Sequence, residues 1–479
     1  MQASILQRDN TLVLRLIGAL AVIGLIWFAA ERAAGGTKTG IALAAIIALS
    51  PIALYAAIKR PFVFPFAFYA LLTPFNDIFS SPTLGTLNRL LGMLSALALA
   101  FMLIRRKQIL KPPKALLGWT IIVVWAAASM VWSIEPNAEA WSLVFTLSQL
   151  FLLYALLSIA PIEKADFNVV LFGTAVGGVL AAAYGIYQFH SLQHETDRLF
   201  LKAGQSYFDP NQFSAGLILP IAILLYAYCH TRRSFQKLGL LVCLGVTVSG
   251  VFVSGSRGCL LALVALYAYW FIKGRNRRQL LALAAVMVLL SLAFSNTLWP
   301  RLSSALATGG AGRVDIWRLG FEAFKRHWLV GAGIDQFSNA TYEVYLRVVG
   351  PPGQWRAGSH NLIEGIGVEL GILGLIAVLL TWRAQFGMLR QIVRPHPLYD
   401  LRVSLEATVL ALFVDAMFLD IMYRKYTWLA FGLVALTRAF SLAYPLGAVE
   451  QNPGQTQLAP LPTLRSASSN GKRQPLEVG

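Results

Sequence analysis

Unbroken apolar runs recur from one end of the chain to the other, at residues 16–30, 40–58, 116–132, 238–253 and 362–380 among others. Each approaches the roughly 20 residues that a helix needs to cross a hydrocarbon core ~30 Å thick. The pattern predicts an all-α, polytopic transmembrane protein of about 12–14 spans. Residues 61–75, interrupted by Pro65 and Pro74, predict a short or re-entrant piece. Arg8 and Arg15 precede the first run, and Ala29-Ala30 could mimic a cleavage site. The many spans that follow favour an uncleaved first helix.

Basic clusters fall between alternate runs: Lys59-Arg60, Arg105-Arg106-Lys107, Arg232-Arg233, Lys273 to Arg278, and Arg383 to Arg402. Placing all of them in the cytoplasm satisfies the positive-inside rule with consistent parity. Both termini are then cytoplasmic. Residues 1–298 read as transmembrane helices, 299–360 as a periplasmic loop and 361–446 as the C-terminal helices. Residues 447–479, rich in Pro, Gln, Ser and Asn, read as a disordered cytoplasmic tail.

Composition agrees. Hydrophobic residues make up 57% of the 479 and charged residues 13%, too little polar surface for a soluble protein of this length. The net charge of +18 sits mostly in the cytoplasmic clusters, which argues against a nucleic-acid partner. Cys229, Cys243 and Cys259 lie in or beside apolar runs at unrelated spacings and read as buried thiols.

The outer face should be poor in cations, yet Arg198, Lys202, Arg257, Arg313, Arg318, Lys325, Arg326, Arg356, Arg424 and Lys425 fall there. Ordinary loop charge accounts for many of them. Arg257 differs, because Ser254-Gly255-Ser256-Arg257-Gly258 is a very short turn between two spans. A guanidinium held at lipid level there needs a partner. Arg424-Lys425 occupies a similar turn. An anionic lipid head is the natural ligand, since guanidinium forks pair bidentately with phosphate oxygens.

In the long loop, Arg313 to Arg326 reads as an amphipathic helix. Ile316, Trp317, Phe321 and Phe324 recur at helical spacing, with Arg318, Glu322 and Arg326 on another face. Gly309, Gly310 and Gly312 precede it and Gly331-Ala332-Gly333 closes it. His360 then stands at the boundary of a glycine-rich span. A neutral imidazole there suits proton abstraction from a hydroxyl, and Glu364, one turn on, could orient it. A structural hydrogen-bonding role is the competing reading for His360.

At these residues the chain resembles the O-antigen ligase and O-antigen polymerase superfamily of bacterial membrane glycosyltransferases. The resemblance rests on Ser254 to Gly258, on Arg313 to Trp317 running to Gly331-Ala332-Gly333 and Phe337, and on His360-Asn361-Leu362 with Glu369, Gly371 and Gly374. Weaker echoes are Trp132-Ser133 with Pro136, Tyr184-Gly185 with Gln188, and Asp209-Pro210-Asn211. Trp328 stands where the family commonly has a proline, an expected change of loop shape rather than chemistry. The resemblance implies a GT-C-like fold and an inverting, metal-independent transfer from undecaprenyl diphosphate, with no cofactor. Arg257 and Arg313 look like the diphosphate-binding arginines and His360 like the catalytic histidine. Arg318, Arg356 and Arg424 are further candidate contacts. The implied partners are an undecaprenyl-diphosphate-linked glycan donor, a lipid A-core or other glycan acceptor, and membrane lipids.

Rival readings remain open at this point. An O-antigen or exopolysaccharide polymerase or a protein O-oligosaccharyltransferase would differ only in acceptor. A metal site would use His190, His194, Glu195 and Asp197. A membrane transporter would need a midplane site, for which Asp415 and Asp420 are the main intramembrane acids.

Overall fold

The computed structural model describes residues 60–443 apart from short stretches, the longest being 192–197, most of 275–312, and 349–357. The expected spans at 16–30 and 40–58, the tail from 447, Arg356, and His194 with its acidic neighbours lie outside the described residues.

The chain is an all-α polytopic membrane protein. Its helices are α1 (Val63–Leu72), α2 (Leu87–Arg106), α3 (Lys114–Ala128), α4 (Ala138–Ile159), α5 (Lys164–Ser191), α6 (Pro210–Gly216) and α7 (Ile218–His230). There follow α8 (Ser234–Ser254), α9 (Arg257–Lys273), α10 (Arg313–Arg326), α11 (Phe337–Val348), α12 (Leu362–Phe386), α13 (Tyr399–Ala416) and α14 (Lys425–Ala443). Eight segments among the described residues are long and apolar enough to cross a membrane. Helices α9 and α13 are shorter but pair along their lengths inside the same bundle.

The basic clusters gather at one end. Arg106 pairs with Glu163 at 2.9 Å and Arg60 with Asp166 at 2.7 Å, while Arg394 and Arg438 donate to the carbonyls of Lys273 and Lys111. The short turns after α8 and α13 lie at the opposite end. Residues 63–75 cross between the two: Arg60 is bonded at the basic end, and Asn76 meets Lys425 at the other. Of the two expected readings, short or re-entrant, the piece is a short crossing. Gly173 and Gly177 of α5 make it possible, because a Cβ on Gly177 would stand 2.2 Å from the Leu71 carbonyl oxygen. Small residues four apart let two backbones touch where side chains cannot separate them.

Trp119, Trp428, Phe431 and Trp382 form the aromatic centre of the core. Within it, the Tyr154 hydroxyl donates to Gln385 at 2.8 Å, and Gln385 donates to the Phe431 carbonyl, so the buried polar groups satisfy one another. Cys229 and Cys259 are buried thiols, whereas Cys243 is only partly buried.

Helix α12 is broken at Gly371, with φ 69° and ψ −172°. A break inside a membrane frees backbone groups that lipid cannot bond. Here residues 328–333 meet them. Ile372 N donates to the Trp328 carbonyl at 2.7 Å, and Ala332 N and Gly333 N donate to Val368 and Glu369 carbonyls at 2.8 and 2.9 Å. Trp125 Nε1 bonds the Leu370 carbonyl at 3.0 Å. Trp328 contributes through its carbonyl while its ring is exposed, and a proline would keep that carbonyl. A Cβ on Gly371 would fall 2.3 Å from the Leu329 carbonyl oxygen. Gly371→Ala is therefore expected to destabilise the protein by about 3 kcal/mol or more, read as a lowered thermal unfolding midpoint in detergent.

Candidate functional site

The turn between α8 and α9 places Arg257. Gly255 adopts the left-handed conformation, φ 63°, that closes α8, and the Ser256 side chain caps α9 by accepting from Cys259 N. Arg257 is thus the first residue of α9, next to its N-terminal amides.

Arg313 is likewise the first residue of its helix, α10. The expected amphipathicity holds, but the apolar residues divide between two faces. Ile316, Leu319, Ala323 and Phe324 pack against α11 and the bundle, whereas Phe321, 59% exposed, points away. Trp317 Nε1 donates to the Ser359 carbonyl at 3.3 Å, tying α10 to the turn that carries His360. A second amphipathic helix, α11, follows.

His360 has φ 47°, a left-handed conformation unusual for a residue with a side chain. Such strain persists only where the surroundings enforce it, and it concentrates at functional sites. The next residue, Asn361, caps α12 with its side chain by accepting from Ile363 N and Glu364 N at 2.9 and 3.2 Å. Glu364 does not orient the imidazole. Its carboxyl lies against Gly320, with Oε1 buried and unbonded among the described residues.

These elements enclose a cavity of about 250 Å³ at the end of the bundle away from the basic clusters. Arg257, Arg313 and His360 all line it, so the structure brings the three principal candidates together. Ile316, Phe418 and Leu419 supply its apolar wall. Arg318 and Arg424 are exposed and do not line the cavity.

The cavity holds two charged groups that sequence reasoning did not select. Arg198, from the loop after α5, lines it; so does Asp415, 1% exposed, whose Oδ2 makes no hydrogen bond among the described residues. Asp415 was legible only as a rare acid within a span.

Electrostatics follow from this crowding. Burial, and next the Arg257 charge, lower the Arg313 pKa from its usual value, with Asp209 and Asp415 opposing. Burial, and next the Arg313 charge, push the His360 imidazole below its usual 6.5. The histidine is held neutral, able to accept a proton. Among the described residues no group of three His, Cys, Asp or Glu is arranged to hold a metal ion.

Residues 239–379 match the family model described as O-Antigen ligase. Arg257, Arg313 and His360 fall inside the matched stretch; Arg198 and Asp415 fall outside it. No curated protein matches the chain.

Proposed function

We propose that this chain, a member of the O-antigen ligase superfamily, transfers a glycan from undecaprenyl diphosphate to the lipid A core on the periplasmic side of the inner membrane. The observation that carries the reading is the convergence of Arg257, Arg313 and His360 on one cavity at the end of the bundle opposite its basic clusters. A diphosphate needs fixed positive charge and N–H donors, which two guanidiniums beside a helix N-terminus supply.

In this reaction the acceptor hydroxyl oxygen attacks the anomeric carbon from the face opposite the diphosphate. Its proton passes to the neutral imidazole of His360 as the bond between the anomeric carbon and the diphosphate oxygen breaks. The configuration inverts, and undecaprenyl diphosphate leaves with the negative charge that Arg257 and Arg313 stabilise. The residues that perform these steps require no metal, so a chelator is expected to leave the rate unchanged.

Positive-inside parity supports the periplasmic placement. A transporter reading loses ground to the broken helix. In transporters the freed backbone of such a helix holds ions at the midplane, whereas here residues 328–333 occupy it.

A null strain tests the assignment. Loss of a ligase leaves lipid-linked polymer accumulated and the lipid A core bare, whereas capped but unextended glycan points to a polymerase. Intact lipopolysaccharide with an unglycosylated protein points to a protein O-oligosaccharyltransferase. The pH profile tests the base. With the His360 pKa pushed below its usual 6.5, the acid limb of kcat/KM is expected to have its midpoint below pH 6.5. A midpoint above 6.5 removes the assignment.

A further inference from the structure

We infer that Arg198 is a third guanidinium of the diphosphate subsite, and that Asn211 is the positioning residue that aims it. The inference rests on the diphosphate reading of the cavity given above.

The segment carrying Arg198 is docked. Leu199 is fully buried and its N–H donates to the Val253 carbonyl at 3.1 Å. Two bonds then fix the guanidinium. Nε donates to the Ser254 carbonyl at 3.0 Å, and Nη2 donates to Asn211 Oδ1 at 2.8 Å. They use two of the five donors of the fork. Together they orient the group towards the cavity that it lines. Ser254 immediately precedes the turn that bears Arg257, which places both arginines on one stretch of the cavity wall.

Asn211 is itself oriented. Its backbone N–H and its Nδ2 both donate to Asp209 Oδ1, at 2.8 and 3.0 Å. Its Nδ2 therefore faces Asp209 and its oxygen faces Arg198, whose guanidinium can only donate. The echo of Asp209-Pro210-Asn211 in the sequence thereby acquires a physical reason: acid, amide and guanidinium form a chain that ends at the cavity.

Calorimetric titration of the purified full-length protein with inorganic pyrophosphate tests this. Arg198→Ala is expected to weaken binding about tenfold or more, the loss of one charge-assisted contact. Arg198→Lys should recover part of the affinity. Asn211→Ala should weaken binding less than Arg198→Ala, and should add nothing in the Arg198→Ala background, because it acts through that side chain. If Arg198→Ala does not fold, the Lys and Asn211 variants carry the test. Wild-type affinity in those variants, or additive losses in the double variant, overturns the inference. Arg257→Ala separates the two layers. If it weakens pyrophosphate binding while the Arg198 variants do not, only the third contact is lost. If Arg257→Ala leaves binding intact, the diphosphate reading fails as well.

Discussion

His360→Ala is expected to lower the transfer rate by about 10²–10⁴-fold, the range that a positioned general base contributes, while donor binding stays within about twofold. The measurement is single-turnover transfer with the purified protein, alongside binding of the lipid-linked donor. A possible confusion is that His360 also shapes a turn, since its backbone is left-handed. His360→Gly resolves it. Glycine adopts φ 47° without strain, so the turn is retained and only the imidazole is removed. The glycine variant should be as inactive as the alanine variant. Substantial activity in either one would mean that the proton goes elsewhere.

Arg257→Lys and Arg313→Lys should each reduce kcat/KM by about 10²-fold, although charge is conserved. An ammonium is a point charge that cannot fork across two phosphate oxygens, and it is more strongly hydrated. The loss of one preorganised donor to a developing oxyanion carries a penalty of this order. Arg318→Ala is the control. Its side chain is exposed and off the cavity, so the rate should stay within about twofold of wild type. A deficit at Arg318 equal to that at Arg313 would mean that the cavity has been drawn around the wrong face of α10.

The bundle was legible because a bilayer imposes one simple rule on composition. Arg257 was legible for the same reason, as a cation in a turn too short to escape the membrane surface. His360 was legible as an imidazole at a span boundary, with a structural role competing, and Arg313 as the start of an amphipathic helix; their roles as base and diphosphate ligand came from the resemblance. Arg318 stands off the cavity because five residues of helix rotate a side chain about 140° away from Arg313. Arg198, Asn211 and Asp415 were hidden by distance along the chain: a loop after α5, the first turn of α6 and the last turn of α13 meet only when the bundle closes. Four glycines mark the span of α12, but the one that breaks it is set by the carbonyl of Leu329 pressing on Gly371. Glu364 was placed on the correct helical turn for His360, and its carboxyl went instead to the space left by Gly320.

The stitching of residues 328–333 into the gap of α12 also orders events during synthesis. That segment leaves the ribosome before the helix whose backbone it completes, and the helix cannot settle in lipid with its amides bare. The hairpin of α10 and α11 must therefore wait, unsealed, until α12 arrives, and the two become native in a single step. An excised hairpin grafted onto a foreign span would lack that partner, so the reaction chamber is inherited only together with the membrane helix beneath it.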